Sequence, residues 1–157
     1  MIPPVVAQLL ATMALLGCLS LAPMPNQLTQ FDEPAAVAWE PDPGDVDALA
    51  RTLYGECRGC SELQQRAVAW TIFNRVDDSR FPDSLIEVVS QPHQFAGYSE
   101  SFPVTAELET LARECLTDYH NGEGRVFGPD FLYFFGNGRI NIFSTEYGGK
   151  GERWAEE

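Results

Sequence analysis

Apolar residues recur at helical spacing from residue 45 onward, and capping or turn residues separate one apolar stretch from the next. The first stretch predicts a helix from Asp45 to about Arg58, with acidic residues in its first turn and Gly59 after its end. A capping-box pattern at Ser61 predicts that a second helix begins there and runs to about Val76. Because this second stretch is apolar on nearly every face, we expect it to form the centre of the core.

Shorter elements are expected after the second helix. The pattern predicts a short helix over residues 85–90 and a longer one that is capped by Thr105 and ends at Gly122. The apolar runs 131–135 and 140–143 predict the two strands of a β-hairpin. The predicted fold class is therefore α+β and helix-dominated, with one core and one small antiparallel hairpin.

The first 44 residues differ in composition from the rest of the chain. Residues 1–22 carry no charged side chain and are mostly apolar, which is typical of a secretory signal or a membrane anchor. Residues 23–44 are acidic and rich in proline, which predicts a solvated linker, and residues 45–157 then form the folded domain. The sequence ending at Cys18 resembles a lipobox, so cleavage, acylation of Cys18 and retention as an anchor are all open.

The charge balance excludes one class of partner. The chain has 23 acidic and 10 basic residues, which gives a formal net charge of −13. Nucleic-acid binding needs clustered basic groups, so we expect no nucleic-acid partner. Residues 23–50 contain acids but no Lys or Arg, so much of the imbalance belongs to the linker and not to the domain.

The cysteines allow three uses. Cys57 and Cys60 form a C-x-x-C pair, which in a thioredoxin-like context would indicate a redox site, but no strand pattern precedes it here. A zinc site would draw on the same pair, on Cys115 and on a histidine, His93 or His120, and we expect no metal. We instead expect a disulfide from Cys57 or Cys60 to Cys115 that ties two helices together in an oxidising compartment.

Glu56 is the candidate catalytic residue. It lies three positions after Leu53 and seven after Leu49, at the margin of the apolar stripe of the first predicted helix. A carboxyl group that is partly shielded from water at such a margin suits a general acid. The competing interpretation is an exposed glutamate at a helix end, since most glutamates are exposed.

Four segments in series resemble a known family. They are residues 49–59 around Tyr-Gly-Glu-Cys-Arg-Gly, residues 67–76, Phe81-Pro82, and residues 88–95. Together they resemble the SleB/CwlJ-type cell-wall hydrolases, which are spore-cortex-lytic enzymes and their relatives in other bacteria and in phages. The sequence departs from the family pattern at Cys57 and Cys60 and in its last third, so substrate preference is expected to differ.

The resemblance implies a lysozyme-like helical fold and cleavage of peptidoglycan glycan strands between N-acetylmuramic acid and N-acetylglucosamine. It places the family's catalytic glutamate on Glu56, with lytic transglycosylation as the expected outcome and no cofactor. Aromatic rings stack on sugar faces and amides bind hydroxyl and N-acetyl groups. The candidate substrate-binding residues are Tyr54, Asn74, Gln91, Gln94, Tyr98 and Tyr133.

The sequence is also consistent with other functions. A glycosidase that uses water normally needs a second carboxylate, for which Asp77, Asp78 and Asp83 are the candidates, so a hydrolytic muramidase is one alternative. A non-catalytic peptidoglycan-binding lipoprotein and a thiol oxidoreductase are the others. We expect a monomer that is exported to the cell envelope, either periplasmic or bound to the membrane through residues 1–22 or a lipid on Cys18; a phage lysin is also consistent with the sequence.

Overall fold

Four helices and three short strands make up the part of the chain described by the computed structural model, which comprises residues 39–95, 98–136 and 140–155. The expected signal or anchor at 1–22, with Cys18, and most of the linker lie outside these residues. No helix among the described residues has the length and apolar character needed to cross a membrane. The elements are α1 Pro43–Cys57, α2 Glu62–Val76, α3 Leu85–Ser90, α4 Ala106–Asn121, β1 Tyr133–Gly136, β2 Asn141–Ser144 and β3 Arg153–Trp154.

The helices begin at side chains that accept hydrogen bonds from free backbone amides. Asp42 Oδ1 accepts from the Gly44 amide at 2.8 Å, and Pro43 fits the first turn, so α1 begins two residues earlier than predicted. Ser61 caps α2 and Thr105 caps α4, as expected. Gly122 ends α4 with a positive φ of 71°, a conformation that glycine adopts without strain.

The second helix is the centre of the core, as its sequence predicts. Ala67, Val68 and Ala69 are fully buried, and Trp70 and Phe73 are at most 2% exposed. Helices α1, α3 and α4 all pack against α2. The Phe73 ring stacks on Tyr119 of α4 with centroids 4.5 Å apart, and Trp70 meets Phe73 edge-on.

The predicted hairpin is present and carries a third strand. β1 and β2 pair antiparallel from Tyr133 opposite Ser144 to Gly136 opposite Asn141, and β3 pairs with β2 through Phe143 and Trp154. Phe143 is fully buried, and its ring centroid lies 5.4 Å from that of Trp154. The fold class, α+β and helix-dominated with a small antiparallel sheet, is thereby confirmed.

A further aromatic contact lies near the start of α1. The Trp39 ring stacks on His120 of α4 with centroids 4.0 Å apart and planes nearly parallel. The three tryptophans of the chain therefore lie in different surroundings: Trp39 is 44% exposed, Trp70 is in the core, and Trp154 is half-buried at the edge of the sheet.

The expected disulfide to Cys115 is wrong. Cys57 is bonded to Cys60, and Cys115 is a buried free thiol. The tight reversal between α1 and α2 brings the Cα atoms of the C-x-x-C pair to 5.2 Å, and the Cys60 amide donates to the Cys57 carbonyl at 3.0 Å. Cys115 instead lies on α4 beside Arg66, whose Nη1 is 3.9 Å from its sulfur.

The same bond removes the zinc alternative that used Cys57 and Cys60, because disulfide sulfurs are not thiolate ligands. Within residues 39–95, 98–136 and 140–155, no three His, Cys, Asp or Glu side chains are placed to hold a metal ion.

Cys115 should resist alkylation in the native protein. Burial raises the pKa of this thiol to about 12, so at pH 8 it is almost entirely protonated as well as shielded. We expect peptide mapping by mass spectrometry to find Cys115 unmodified after iodoacetamide treatment of native protein and fully modified after unfolding in guanidinium. Rapid native modification of Cys115 would contradict the buried position.

Candidate active site

Glu56 lies in the last turn of α1 and is half-buried, which confirms its predicted place at the margin of the apolar stripe. Thr52 and Leu53, one turn before it, are fully buried. The Thr52 hydroxyl donates to the Ala48 carbonyl at 2.8 Å within the helix, so it is satisfied by the backbone. The carboxyl group therefore stands where the buried face of α1 meets the surface.

Three elements meet at the end of α1. Gln65 Nε2 donates to the Cys57 carbonyl at 3.1 Å, which joins α1 to α2. Asn141, the first residue of β2, donates from Nδ2 to Cys57 Sγ at 3.2 Å and from its amide to Gln64 Oε1 at 2.9 Å. With the disulfide, these bonds hold the residue next to Glu56 against both α2 and the sheet.

Sequence reasoning missed Asn141 and Gln64. Asn141 is 2% exposed and Gln64 is 3% exposed, so both are polar side chains inside the core. The available signal was an asparagine between Ile140 and Ile142 in an apolar strand, since a buried polar residue needs a partner. The pattern could not identify that partner, because it lies 77 residues away along the chain.

A cleft of about 810 Å³ lies on the side of α1 that carries Tyr54 and Arg58, between α1 and α4, and is called the α1–α4 cleft below. Tyr54 lines it together with Arg58, whose guanidinium carbon is 5.2 Å from the centre of the Tyr54 ring. Residues two apart on a helix are about 200° apart around its axis. Tyr54 and Glu56 therefore point to opposite sides of α1, and the structure does not bring these two candidates together.

A second groove, of about 370 Å³, runs along the sheet and is called the sheet groove below. Two of the candidate substrate-binding residues, Gln94 and Tyr133, line it. Its other lining residues are Arg75, His93, Phe134, Phe135, Tyr147, Gly148 and Gly149. His93 has a positive φ of 64°, which is uncommon outside glycine and is a form of strain often found at functional sites.

β1 connects the sheet groove with the end of α1. Tyr133 and Phe135 line the groove, and Gly136, the last residue of β1, is paired with Asn141, which contacts Cys57. Three strand residues span about 10 Å. The sheet groove therefore runs along β1 from Tyr133, about 10 Å from Gly136, to Phe135, the residue next to Gly136.

Asn74 is a core residue and does not line either groove. Its Nδ2 donates to the Gly128 and Phe131 carbonyls, both at 3.1 Å, and its Oδ1 accepts from Arg125 at 2.7 Å. These bonds use the amide to fix the segment that leads into β1. The geometry gives Asn74 a structural function instead of the expected contact with substrate.

The remaining candidates, Gln91 and Tyr98, are half-buried. Gln91 follows α3, and its Oε1 is buried without a hydrogen-bond partner among the described residues. Tyr98 packs against the core, and its amide donates to the Phe95 carbonyl at 3.3 Å. Neither side chain lines the sheet groove or the α1–α4 cleft.

The candidate second carboxylates have other partners or positions. Asp78 pairs with Arg80 at 2.7 Å, and this hydrogen bonding lowers the pKa of Asp78 to about 2, while Asp77 accepts from the Tyr119 hydroxyl at 2.5 Å. Asp83 is exposed in the turn before α3. Since Gln65 contacts the end of α1, the twelve-residue rise of α2 places Asp77 about 18 Å from that end.

Comparison with known proteins gives a consistent set of relatives. The sequence profile of the family described as Cell Wall Hydrolase matches residues 59–150. The chain is 35% identical over 78 residues to a spore cortex-lytic enzyme of Oceanobacillus iheyensis, covering 50% of this chain and 28% of that protein. It is 36% identical over 91 residues to that of Bacillus subtilis, covering 58% and 29%, and 32% identical over 89 residues to that of Halalkalibacterium halodurans, covering 57% and 27%.

These matches have limits along both sequences. The chain spans less than a third of the length of each of these three relatives. The family profile begins at Gly59, three residues after Glu56, so the candidate catalytic residue stands outside the matched range. No solved structure matches this chain.

Proposed function

Because its residues 59–150 match the family profile, the chain belongs to the cell wall hydrolase family, and we propose that it cleaves the glycan strands of peptidoglycan with Glu56 as general acid and base. The proposed bond is that between N-acetylmuramic acid and N-acetylglucosamine. The relatives named as spore cortex-lytic enzymes support a substrate in the cell wall.

The placement of Glu56 carries this proposal. A general acid must be held within hydrogen-bond reach of the oxygen that it protonates, which requires a fixed backbone and a side chain at an open surface. Glu56 is half-buried. The adjacent Cys57 forms a disulfide with Cys60 and accepts hydrogen bonds from Gln65 and Asn141. This combination gives a carboxyl group at the surface on an immobilised helix end.

The proposed reaction is a lytic transglycosylation. The Glu56 carboxyl group donates its proton to the glycosidic oxygen, and the bond from that oxygen to the muramic acid C1 breaks. The C6 hydroxyl of the same muramic acid then attacks the oxocarbenium-like C1, and the Glu56 carboxylate takes the hydroxyl proton. The products are a glycan with a free hydroxyl at its new end and a 1,6-anhydromuramic acid end, so no water is consumed.

The separation of the carboxylates favours this one-carboxylate mechanism. Hydrolysis by two carboxylates needs a separation of about 5 to 9.5 Å, depending on the stereochemical outcome. Asp77 lies about 18 Å from the end of α1 by the length of α2, and Asp78 is paired with Arg80. Transglycosylation needs only one carboxyl group, because the nucleophile is the C6 hydroxyl of the substrate and Glu56 acts first as the acid and then as the base.

Mass spectrometry of digested sacculi tests the proposal. We expect soluble muropeptides whose mass is lower by roughly 18 daltons than that of the hydrolytic products, because an internal hydroxyl closes the broken bond in place of water. Products of the hydrolytic mass would instead indicate a muramidase. Binding to sacculi without release of any soluble product would contradict enzymatic cleavage and favour a non-catalytic binding protein.

The proposed substrate lies outside the cytoplasm, so the proposal includes export to the cell envelope. Residues 1–22 are the candidate export segment or anchor, and Cys18 is the candidate lipid attachment site. Retention of residues 1–22 as an anchor, or a lipid on Cys18, would attach the protein to the membrane.

A further inference from the structure

Arg75 carries a buried positive charge. It is 3% exposed, and its Nε donates to the Leu132 carbonyl at 2.7 Å and its Nη1 to Gln94 Oε1 at 3.2 Å. Neither acceptor is charged, and no ion pair includes Arg75 in the part of the chain that the structure describes. Burial lowers the pKa of Arg75 to about 10.

The other buried surroundings of Arg75 are aromatic. Its guanidinium carbon lies 4.8 Å from the ring centre of Phe95, 5.0 Å from that of Phe81 and 5.7 Å from that of Tyr133. Ring faces attract a cation but leave its charge formally unbalanced. By contrast, the arginines that form ion pairs, Arg51, Arg66, Arg80 and Arg113, are all more exposed than Arg75.

The unbalanced charge faces an open site. Arg75 and the Gln94 amide that it contacts both line the sheet groove. A buried charge is stabilised by a partner of opposite sign, and a carboxylate accepts stronger hydrogen bonds from a guanidinium than a neutral amide oxygen does. A carboxylate in the groove would therefore improve on the contact that Gln94 now supplies. In a chain with a net charge of −13, such a site for an anion is unexpected from composition.

The groove also presents an exposed aromatic ring. Tyr147 is 81% exposed, and its ring meets Tyr133 edge-on at 5.8 Å. The turn that carries Tyr147 is fixed from within, since the Ser144 hydroxyl donates to the Lys150 carbonyl and accepts from the Glu146 amide at 3.2 Å. An exposed ring on an ordered turn can pack on a sugar without a large loss of conformational entropy.

Gly149 explains how this turn approaches the sheet. It has a positive φ of 75°, and a side chain at this position would collide with the Phe135 ring. The turn can therefore lie directly against β1, with Tyr147 beside the groove.

We propose that the sheet groove is a subsite for a carboxylate carried by the glycan strand, with Arg75 as the residue that binds the carboxylate and with Tyr147 packing on the adjoining sugar. The inference rests on the proposed function, because it takes peptidoglycan as the source of the ligand. Two carboxylates of that polymer have the required chemistry: the lactyl group of muramic acid, where no peptide is attached, and the acidic groups of the peptide stem.

Binding to the full chain carrying Glu56→Gln tests the subsite without turnover. The probes are the disaccharide of N-acetylglucosamine and N-acetylmuramic acid, its lactyl methyl ester, the same disaccharide with its peptide, and a neutral oligomer of N-acetylglucosamine. We expect calorimetry to show roughly tenfold or greater preference for a carboxylate-bearing probe over the neutral ones, as a charge-assisted hydrogen bond supplies. Preference for the free disaccharide identifies the lactyl group, and preference for the peptide form alone identifies the stem.

Variants separate the two parts of the subsite. Tyr147→Ala should weaken binding of all the sugar probes about 3- to 10-fold, and the exposed position of Tyr147 leaves folding unaffected. Ile86→Ala, which removes an exposed apolar side chain on α3, is the matched control and should change nothing. Arg75→Gln should abolish the preference for the carboxylate; since this variant can also unfold the domain, the comparison of the two carboxylate-bearing probes with the two neutral probes on the protein with Arg75 intact is the decisive measurement.

Equal affinities for acid, ester, peptide and neutral probes would overturn the subsite. So would unchanged binding by Tyr147→Ala. Neither result depends on catalysis, whereas full activity of Glu56→Gln on sacculi would overturn the proposed function and leave the ratio of affinities to be read independently.

Discussion

Replacing Glu56 by Gln is expected to lower the rate of glycan cleavage by about 10² to 10⁴, the range that general acid–base catalysis contributes. Gln keeps the size and most of the packing of the half-buried side chain but has no proton of suitable acidity to donate. Release of soluble muropeptides from purified sacculi measures the rate, and circular dichroism during thermal unfolding checks that the fold is retained.

The matched control is Glu123→Gln, which removes an exposed carboxylate after the end of α4. This variant should cleave sacculi at the rate of the unaltered protein. Full activity in the Glu56 variant, or equal losses in both variants, would show that Glu56 is not the acid.

Replacing Asn74 by Ala is expected to cost about 3 kcal/mol of the free energy of unfolding. The change leaves the Gly128 and Phe131 carbonyls without the amide that now donates to them, and it removes the acceptor of Arg125. Buried acceptors without a donor retain their full desolvation penalty. Urea unfolding followed by circular dichroism gives the free energy.

Thr117→Val is a suitable control, because it also removes a hydrogen-bonding side chain but lies on the outer part of α4. Its effect should be within about 0.5 kcal/mol. A stable Asn74 variant with a raised KM and normal kcat would contradict the structural function and restore Asn74 as a substrate contact.

The helices could be predicted from sequence because their signals are local. Apolar spacing predicts the burial of α2, and Ser61 predicts its start within one or two residues. Thr105 and Gly122 predict the start and the end of α4 with the same accuracy. α1 begins at Pro43, two residues before its predicted start at Asp45, since proline is favourable in a first turn and the cap is Asp42.

The rest of the sheet and the cysteine pairing depend on contacts between distant segments. β3 has only two residues, Arg153 and Trp154, so it shows no alternation, and it pairs because the turn after β2 returns the chain to Phe143. Cys115 lies on the apolar face of its helix, where a buried free thiol and a disulfide-bonded cysteine have the same sequence pattern.

The candidate site divides in the same way. The half-buried position of Glu56 followed from its place in the helical repeat. That Tyr54 faces away from it also follows from the repeat, whereas the burial of Asn74 and the assembly of the sheet groove from residues 75, 93–94, 133–135 and 147–149 required the tertiary structure. Nothing in the sequence indicates that Arg75 is buried, because an arginine near a helix end is most often a solvated residue.

The fluorescence of the three tryptophans can report on the folding of three separate parts of the protein. Trp70 lies in the helical core, and Trp39 stacks on His120. Trp154, in the last strand, packs against Phe127 and Phe143. Their environments differ in polarity, so their emission maxima differ. Fluorescence of single-tryptophan versions would therefore report separately on the core, the sheet edge and the first turn of the domain.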